Sequence, residues 1–218
     1  MQSKTDKFLD YYSRYLSIDE GREIYGCHVC QSPNRDNILN RRFIYKVIIT
    51  DFCGERIISI SPSMKEDVIN NICLSLKDIA FADILYMQQL QDTGYRISMM
   101  HRMVLNGSVS YSCYELGVKP EYLREYMKYL IRDKGDIISY CKISDLLYGF
   151  GNIVVWTDEK FRRRGYAREL LLRIIEVCKI EGIEPIYMVD CNNAASIELA
   201  HSVGFEIVQT EIVGCDLI

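Results

Sequence analysis

Apolar residues recur every three or four positions in some stretches of the chain and gather into short β-branched blocks in others, so the pattern predicts alternating helices and strands. Phe8, Leu9, Tyr12, Tyr15 and Leu16 predict an opening helix. Val68, Ile69, Ile72 and Leu76 predict a helix over 63–76, with Ser63 as N-cap and Glu66 completing a capping box. A second helical stretch reaches about Gln91. Lys119-Pro120-Glu121 predicts a further helix with proline in its first turn, an inner face of Leu123, Tyr126, Met127, Leu130 and Ile131, and Gly135 as its end. Strands are expected at 43–50 and 56–60, joined near Gly54, and at 96–105 and 108–114, joined at Asn106-Gly107. Ile137 to Ile143, Ile153 to Trp156 and Ile186 to Val189 complete the expected strands.

One stretch combines these signals. Ile153-Val154-Val155-Trp156 is followed by Thr157-Asp-Glu-Lys-Phe-Arg-Arg-Arg-Gly-Tyr-Ala167, and then by Leu170, Leu171, Ile174, Ile175 and Cys178 at helical spacing up to Gly182. A strand therefore runs through a tight loop into a helix. Helix N-termini carry unpaired N–H groups and partial positive charge, which suits a phosphate. Gly165 lets the backbone approach such a group, having no Cβ. Lys160, Arg162, Arg163, Arg164 and Arg168 concentrate positive charge here, although the chain carries a formal charge of −4. A pyrophosphate suits the loop; a solvated basic turn is the plainer reading.

After Pro185 and the next strand comes Asn193-x-x-Ser196-Ile197-x-Leu199-Ala200-x-x-x-Gly204-Phe205. Asn192 or Asn193 can cap a helix, Ile197, Ala200 and Val203 form its buried stripe, and Gly204 suits a left-handed C-terminal position.

The pattern Arg162-x-x-Gly165-x-Ala167 after a strand resembles the acyl-CoA pyrophosphate loop of the GNAT superfamily of N-acetyltransferases. The stretch from Asn193 to Phe205 resembles that family's second motif, and the likeness covers about residues 136 to 218. It implies a mixed α/β (α+β) fold with a mostly antiparallel sheet flanked by helices, over about 91–218. An additional N-terminal α/β segment, which either extends the same sheet or forms a degenerate lobe, occupies 1–90. It implies acetyl-CoA as co-substrate, held by Val155, Trp156, Thr157, Arg162, Arg163, Arg164, Gly165, Tyr166, Ala167, Asn193 and Ser196, and no metal. A backbone N–H at Val155 or Trp156 would polarise the thioester carbonyl. Ile153 to Thr157 offers no carboxylate, which leaves Asp190 as the candidate base; the family's usual tyrosine acid falls at Ala200, and Tyr140 is the other catalytic candidate. Tyr140 and Cys141 alternate along a strand, so at most one of them reaches the acetyl group.

Composition narrows the partners. Net charge −4 argues against nucleic acid as the main partner, which needs a broad basic face. No apolar run is long enough to span a membrane, and Met1 to Lys7 holds no signal-peptide core, so a cytoplasmic protein is expected. Nine cysteines, an odd number, read as reduced thiols, with Cys73 and Cys178 serving as small hydrophobes. Cys27-His28-Val29-Cys30 admits a zinc or redox reading, for which two further ligands are lacking at readable spacing. The expected activity is N-acetyl transfer to a small-molecule or peptide amine, with homo-oligomerisation open. The alternative is a catalytically quiet acyl-CoA-binding module.

Overall fold

The computed structural model describes residues 4–76, 79–106 and 119–217. In chain order the elements are α1 (Lys4–Leu16), β1 (Arg22–Ile24), β2 (Cys27–Gln31), β3 (Phe43–Phe52), β4 (Glu55–Ile60), α2 (Glu66–Leu76), α3 (Gln88–Gln91) and β5 (Arg96–Leu105). There follow β6 (Glu121–Leu123), β7 (Lys128–Asp133), β8 (Asp136–Leu147), β9 (Phe150–Thr157), α4 (Tyr166–Glu181), β10 (Glu184–Asp190), α5 (Ala194–His201) and β11 (Phe205–Leu217). They form a mixed α/β fold whose strands pair mostly antiparallel, in two compact units: residues 1–101 with 209–218, and residues 102–208.

In the first unit the strands run in the order β1-β2-β4-β3-β11. β3 and β4 form the expected hairpin, closed by Cys53 and Gly54 at φ 53° and 87°. Positive φ at both turn residues matches the twist of the strands, and glycine adopts it without strain. β2 lies parallel to β4, and the final stretch of β11 pairs with β3 from Glu211↔Thr50 to Leu217↔Phe43. Val47, Ile49, Ile58, Ile60 and Ile212 pack with Ile69, Ile72, Cys73 and Leu76 of α2. The capping box expected at Ser63 does not form. The helix starts at Glu66, and the Ser63 hydroxyl bonds instead to that of Ser61 at 2.7 Å. Ser61 also donates to Asp36 at 2.7 Å, so the serines stabilise the loop ahead of the helix.

The second unit runs β10-β9-β8-β7-β6, with β10 parallel to β9 and the other pairs antiparallel. Here the helix expected at 119–135 is corrected: the chain forms β6, a short turn and β7. Met127 at φ 41° breaks any helical course, and Lys134-Gly135 (φ 50° and 94°) make a hairpin turn into β8. The helical spacing misled because the adjacent residues Leu130 and Ile131 are both fully buried. Neighbours on a strand point to opposite faces, so both faces of β7 are covered there. Strand 108–114 and Gly107 of the expected turn lie outside the described residues. α4 packs Leu170, Leu171, Ile174, Ile175 and Cys178 against Ile143, Ile153 and Cys141. Each such leucine or isoleucine contributes about 1.5–3 kcal/mol on burial, which fixes the helix axis and so the place of its N-terminus. Gly182, left-handed at φ 67°, ends it by donating its N–H to Cys178.

Candidate acyl-CoA site

The site begins where a ladder stops. β9 and β10 pair from Phe150↔Glu184 to Ile153↔Tyr187, yet β9 continues to Thr157 and β10 to Asp190. Beyond Ile153 the two strands splay. β9 stays joined to β8 as far as Ser139↔Thr157, and the Asp158 N–H donates to the Ile138 carbonyl at 2.9 Å. Antiparallel ladders alternate, so Asp158, Trp156 and Val154 direct their main-chain groups to β8. Val155 and Thr157 therefore turn theirs to the open edge. Of the two backbone donors expected at this strand, Val155 is the one facing the splay.

The loop after β9 folds on itself. The Asp158 carboxylate accepts from the Lys160 N–H at 3.0 Å and caps a short turn at Glu159–Phe161. Arg162 donates to the Thr157 carbonyl at 3.3 Å and pairs with Glu159 at 3.5 Å. Arg164 donates to the Lys160 carbonyl at 3.2 Å and lies 5.0 Å over the Phe161 ring. Arg163 meets no partner among the described residues. Arg163 (φ 63°) and Gly165 (φ 82°) are left-handed while Arg164 between them is not; such alternation turns successive N–H groups into one concavity, an anion nest. No side chain caps α4, whose first bond runs from the Glu169 N–H to the Gly165 carbonyl at 3.1 Å. The N–H groups of Tyr166 and Ala167 thus have no partner within the helix. Glu169, the acid of this first turn, is buried against Arg173 at 2.7 Å rather than folded over the helix end.

α5 supplies the opposite wall. Asn193 caps it as expected, its side chain accepting from the Ser196 N–H at 3.2 Å. The Ser196 hydroxyl shares a 2.8 Å hydrogen bond with Tyr187, whose ring packs on Phe205 with centroids 5.6 Å apart. Burial pushes the Tyr187 hydroxyl above the ordinary tyrosine pKa, partly offset by the Ser196 bond. Ala200 is fully buried in the core.

These walls enclose a cavity of about 530 Å³. All eleven residues expected to hold a cofactor line it: Val155, Trp156, Thr157, Arg162 through Ala167, Asn193 and Ser196. The two catalytic candidates do not. Tyr140 stacks on Trp156 at 5.6 Å with the Lys128 ammonium 4.2 Å from its ring centre. Asp190 accepts the Asn192 N–H at 2.8 Å in the turn before α5. The cavity is also lined by Phe161, Arg168, Ala195, Glu198, Leu199 and Ser202, of which the sequence had pointed only to Arg168, in the basic cluster, and Leu199, in the second motif. Ala195, Glu198, Leu199 and Ser202 recur at three- and four-residue spacing, a second stripe on α5 that was available as a signal. Cys27 and Cys30 sit three apart on β2, which places them on opposite faces, and Cys27 belongs to the α2 core. Among the described residues no group of three or more His, Cys, Asp or Glu could hold a metal ion.

The family model for GNAT acetyltransferase matches residues 80–211, more than half of the 218. The chain belongs to the GNAT acetyltransferases. The match starts well before residue 136, where the likeness was legible from motifs, so β5 and the strands after it are also part of the family's domain. No curated protein matches the chain. Among solved structures, this GNAT protein is similar to a GCN5-related N-acetyltransferase from Sphaerobacter thermophilus, with 14% identity over 73% of this chain and 71% of that one, TM-score 0.49. A GNAT-family protein from Novosphingobium aromaticivorans is similar at 18% identity over 55% of this chain, TM-score 0.48; the match spans 64% of that protein. The yncA protein of Salmonella typhimurium, solved with its cofactor acetyl-CoA, is similar at 20% identity over 43% of this chain and 65% of its own, TM-score 0.37.

Proposed function

We propose that this GNAT acetyltransferase moves an acetyl group from acetyl-CoA to the amine of a small molecule or peptide. The observation that supports this most is the junction of two open backbone surfaces in one cavity: the splayed edge of β9 and the uncapped, arginine-ringed start of α4. The residues fit the co-substrate. The nest at Arg163–Gly165 and the first N–H groups of α4 suit its pyrophosphate, with Arg162, Arg163 and Arg164 adding charge. The Val155 and Thr157 main chain suits an extended amide-bearing arm, and Asn193 and Ser196 flank it. Acyl transfer then needs a donor for the carbonyl oxygen as charge builds on it, and the Val155 N–H is preorganised for that. Asp190, at the end of β10 beside the splay, is the acid–base group we assign to the amine, acting through water. Tyr140 supports Trp156 from behind, and so shapes the acceptor side.

A quiet acyl-CoA-binding module is the second reading, and the buried Ala200, where the family's tyrosine acid would stand, favours it. Steady-state release of free CoA from acetyl-CoA with a panel of amines decides between them: amine-dependent release supports transfer, and tight CoA binding without release supports the module. Five of the described cysteines are buried and all eight are free, which supports the cytoplasm as the location. No described helix is long and apolar enough to cross a membrane.

A further inference from the structure

Tyr187 stands on the last rung of the β9–β10 ladder, opposite Ile153, so its side chain leaves the sheet where the splay begins. It is 3% exposed, yet it lines the cavity together with Ser196. Both residues are firmly held: Tyr187 by β10 and Phe205, Ser196 by the Asn193 cap in the first turn of α5. A phenylalanine would fill the same space without the cost of burying a hydroxyl. The pair of hydroxyls also carries two O–H donors, and the 2.8 Å bond between them consumes one. Neither oxygen has another partner among the described residues. One donor therefore remains for whatever enters the cavity.

We propose that Tyr187 is the catalytic acid that protonates the leaving sulfur of the acyl thioester, with Ser196 as its positioning residue. This deepens the acetyl-transfer reading of the same cavity and rests on it. Once the new C–N bond has formed, the C–S bond breaks and its electron pair stays on sulfur. The Tyr187 Oη proton passes to that sulfur and yields the free thiol. The proton shed by the attacking nitrogen passes through water to Asp190, and Tyr187 Oη regains a proton from water by way of the Ser196 hydroxyl as Asp190 releases its own, so no net proton is gained or lost. Burial, which holds Tyr187 protonated through the neutral range, keeps this proton available. The position supplies an acid from β10 in a chain whose α5 presents only a buried alanine at residue 200.

The test pairs a binding readout with turnover, in the full chain, using Tyr187→Phe and Ser196→Ala. Calorimetric titration compares CoA with desulfo-CoA. Wild type should bind CoA several-fold more tightly than desulfo-CoA. Tyr187→Phe should bind the two equally, at the wild-type affinity for desulfo-CoA. Its kcat should fall about tenfold or more, toward the range of lost acid catalysis, with KM for acetyl-CoA within about twofold. Ser196→Ala should show smaller losses of both. If both variants fold, keep the preference for CoA and keep wild-type kcat, the hydroxyl pair is only a strut between α5 and β10 and the proposal fails. A wild type that binds neither ligand would overturn the acetyl-transfer reading as well, which distinguishes the two failures.

Discussion

The chain builds a hairpin, a loop and a helix twice, and only one of the two leaves a site. β3 and β4 turn at Cys53-Gly54 and lead through residues 61–65 to α2; β8 and β9 turn at Tyr148-Gly149 and lead through residues 158–165 to α4. Each second strand has a parallel neighbour, β2 beside β4 and β10 beside β9. The β2–β4 ladder, however, reaches Ile60, the last residue of β4, whereas the β9–β10 ladder ends at Ile153, before Val154 to Thr157. The helix starts differ in the same sense. α2 opens with Glu66 and Asp67, and Glu66 is paired with Arg22. α4 opens with Tyr166, Ala167 and Arg168, and its Glu169 is turned away to Arg173. The proposed anion site thus rests on withholding partners that the chain supplies to itself elsewhere.

Giving α4 the chemistry of α2 should break the contrast most. Ala167→Asp places a carboxylate at the start of α4, where the phosphate would bind; charges a few ångströms apart near a protein surface are worth about 4 kcal/mol. CoA affinity should fall by about a hundredfold, while the ligand-free protein gains about 0.3–1 kcal/mol from an acid at a helix N-terminus. Calorimetry and thermal melting read the two opposite signs; equal losses in both would mean simple misfolding. Gly165→Val removes the left-handed residue, at φ 82°, and adds bulk where phosphate must approach. It should cost about tenfold in CoA affinity, or roughly 1.4 kcal/mol. Wild-type affinity in the folded variant would sink the loop assignment. Arg163→Ala should cost less, and its cost should shrink at high salt because exposed charges are screened; titrations at two ionic strengths measure this.

Asn193→Ala removes a cap the structure shows in place, so it should lower ligand-free stability by about 1 kcal/mol as well as weakening CoA binding. Chemical denaturation gives the first figure, and a change in affinity alone would mean that the cap does not stabilise α5. The smallest effect belongs to the closed copy. Glu66→Gln breaks an exposed pair with Arg22, worth about 0–1 kcal/mol, and should leave CoA binding unchanged. Any loss of affinity there would contradict the separation of roles.

What was legible in the chain was what is local. The hairpin at Cys53-Gly54, the helix from Tyr166 to Gly182 and the Asn193 cap each depend on residues within a few positions of one another, and so did every predicted lining residue of the cavity. β7 was misread because both its faces are covered, which hides the period of two. The splay was invisible for a different reason: where a ladder stops is set by the two strands' partners, and Val155 carries its donor on the main chain whatever its side chain. Tyr187 was legible only as part of the expected strand Ile186 to Val189. Its bond to Ser196 depends on how α5 crosses β10, which no spacing encodes. The pairing of β11 with β3 was equally out of reach, since nothing in Glu211 to Leu217 names its neighbour.

That last pairing bears on the order in which the chain acquires its shape. β6, β7, β8 and β9 each pair with the next strand in sequence, and α4 alone separates β9 from β10. Loops this short close quickly, so the cavity-bearing unit can assemble from contacts that form as neighbours meet. The first unit is unlike it: β3 waits for partners on the order of 160 residues away. Until Glu211 to Leu217 arrive, β3 presents a row of unsatisfied main-chain groups beside the apolar side chains of Val47 and Ile49, which is the kind of edge that recruits other chains. The cavity-bearing unit is thus expected to mature before the unit that follows the opposite design, and the chain's risk of aggregation during refolding resides in β3.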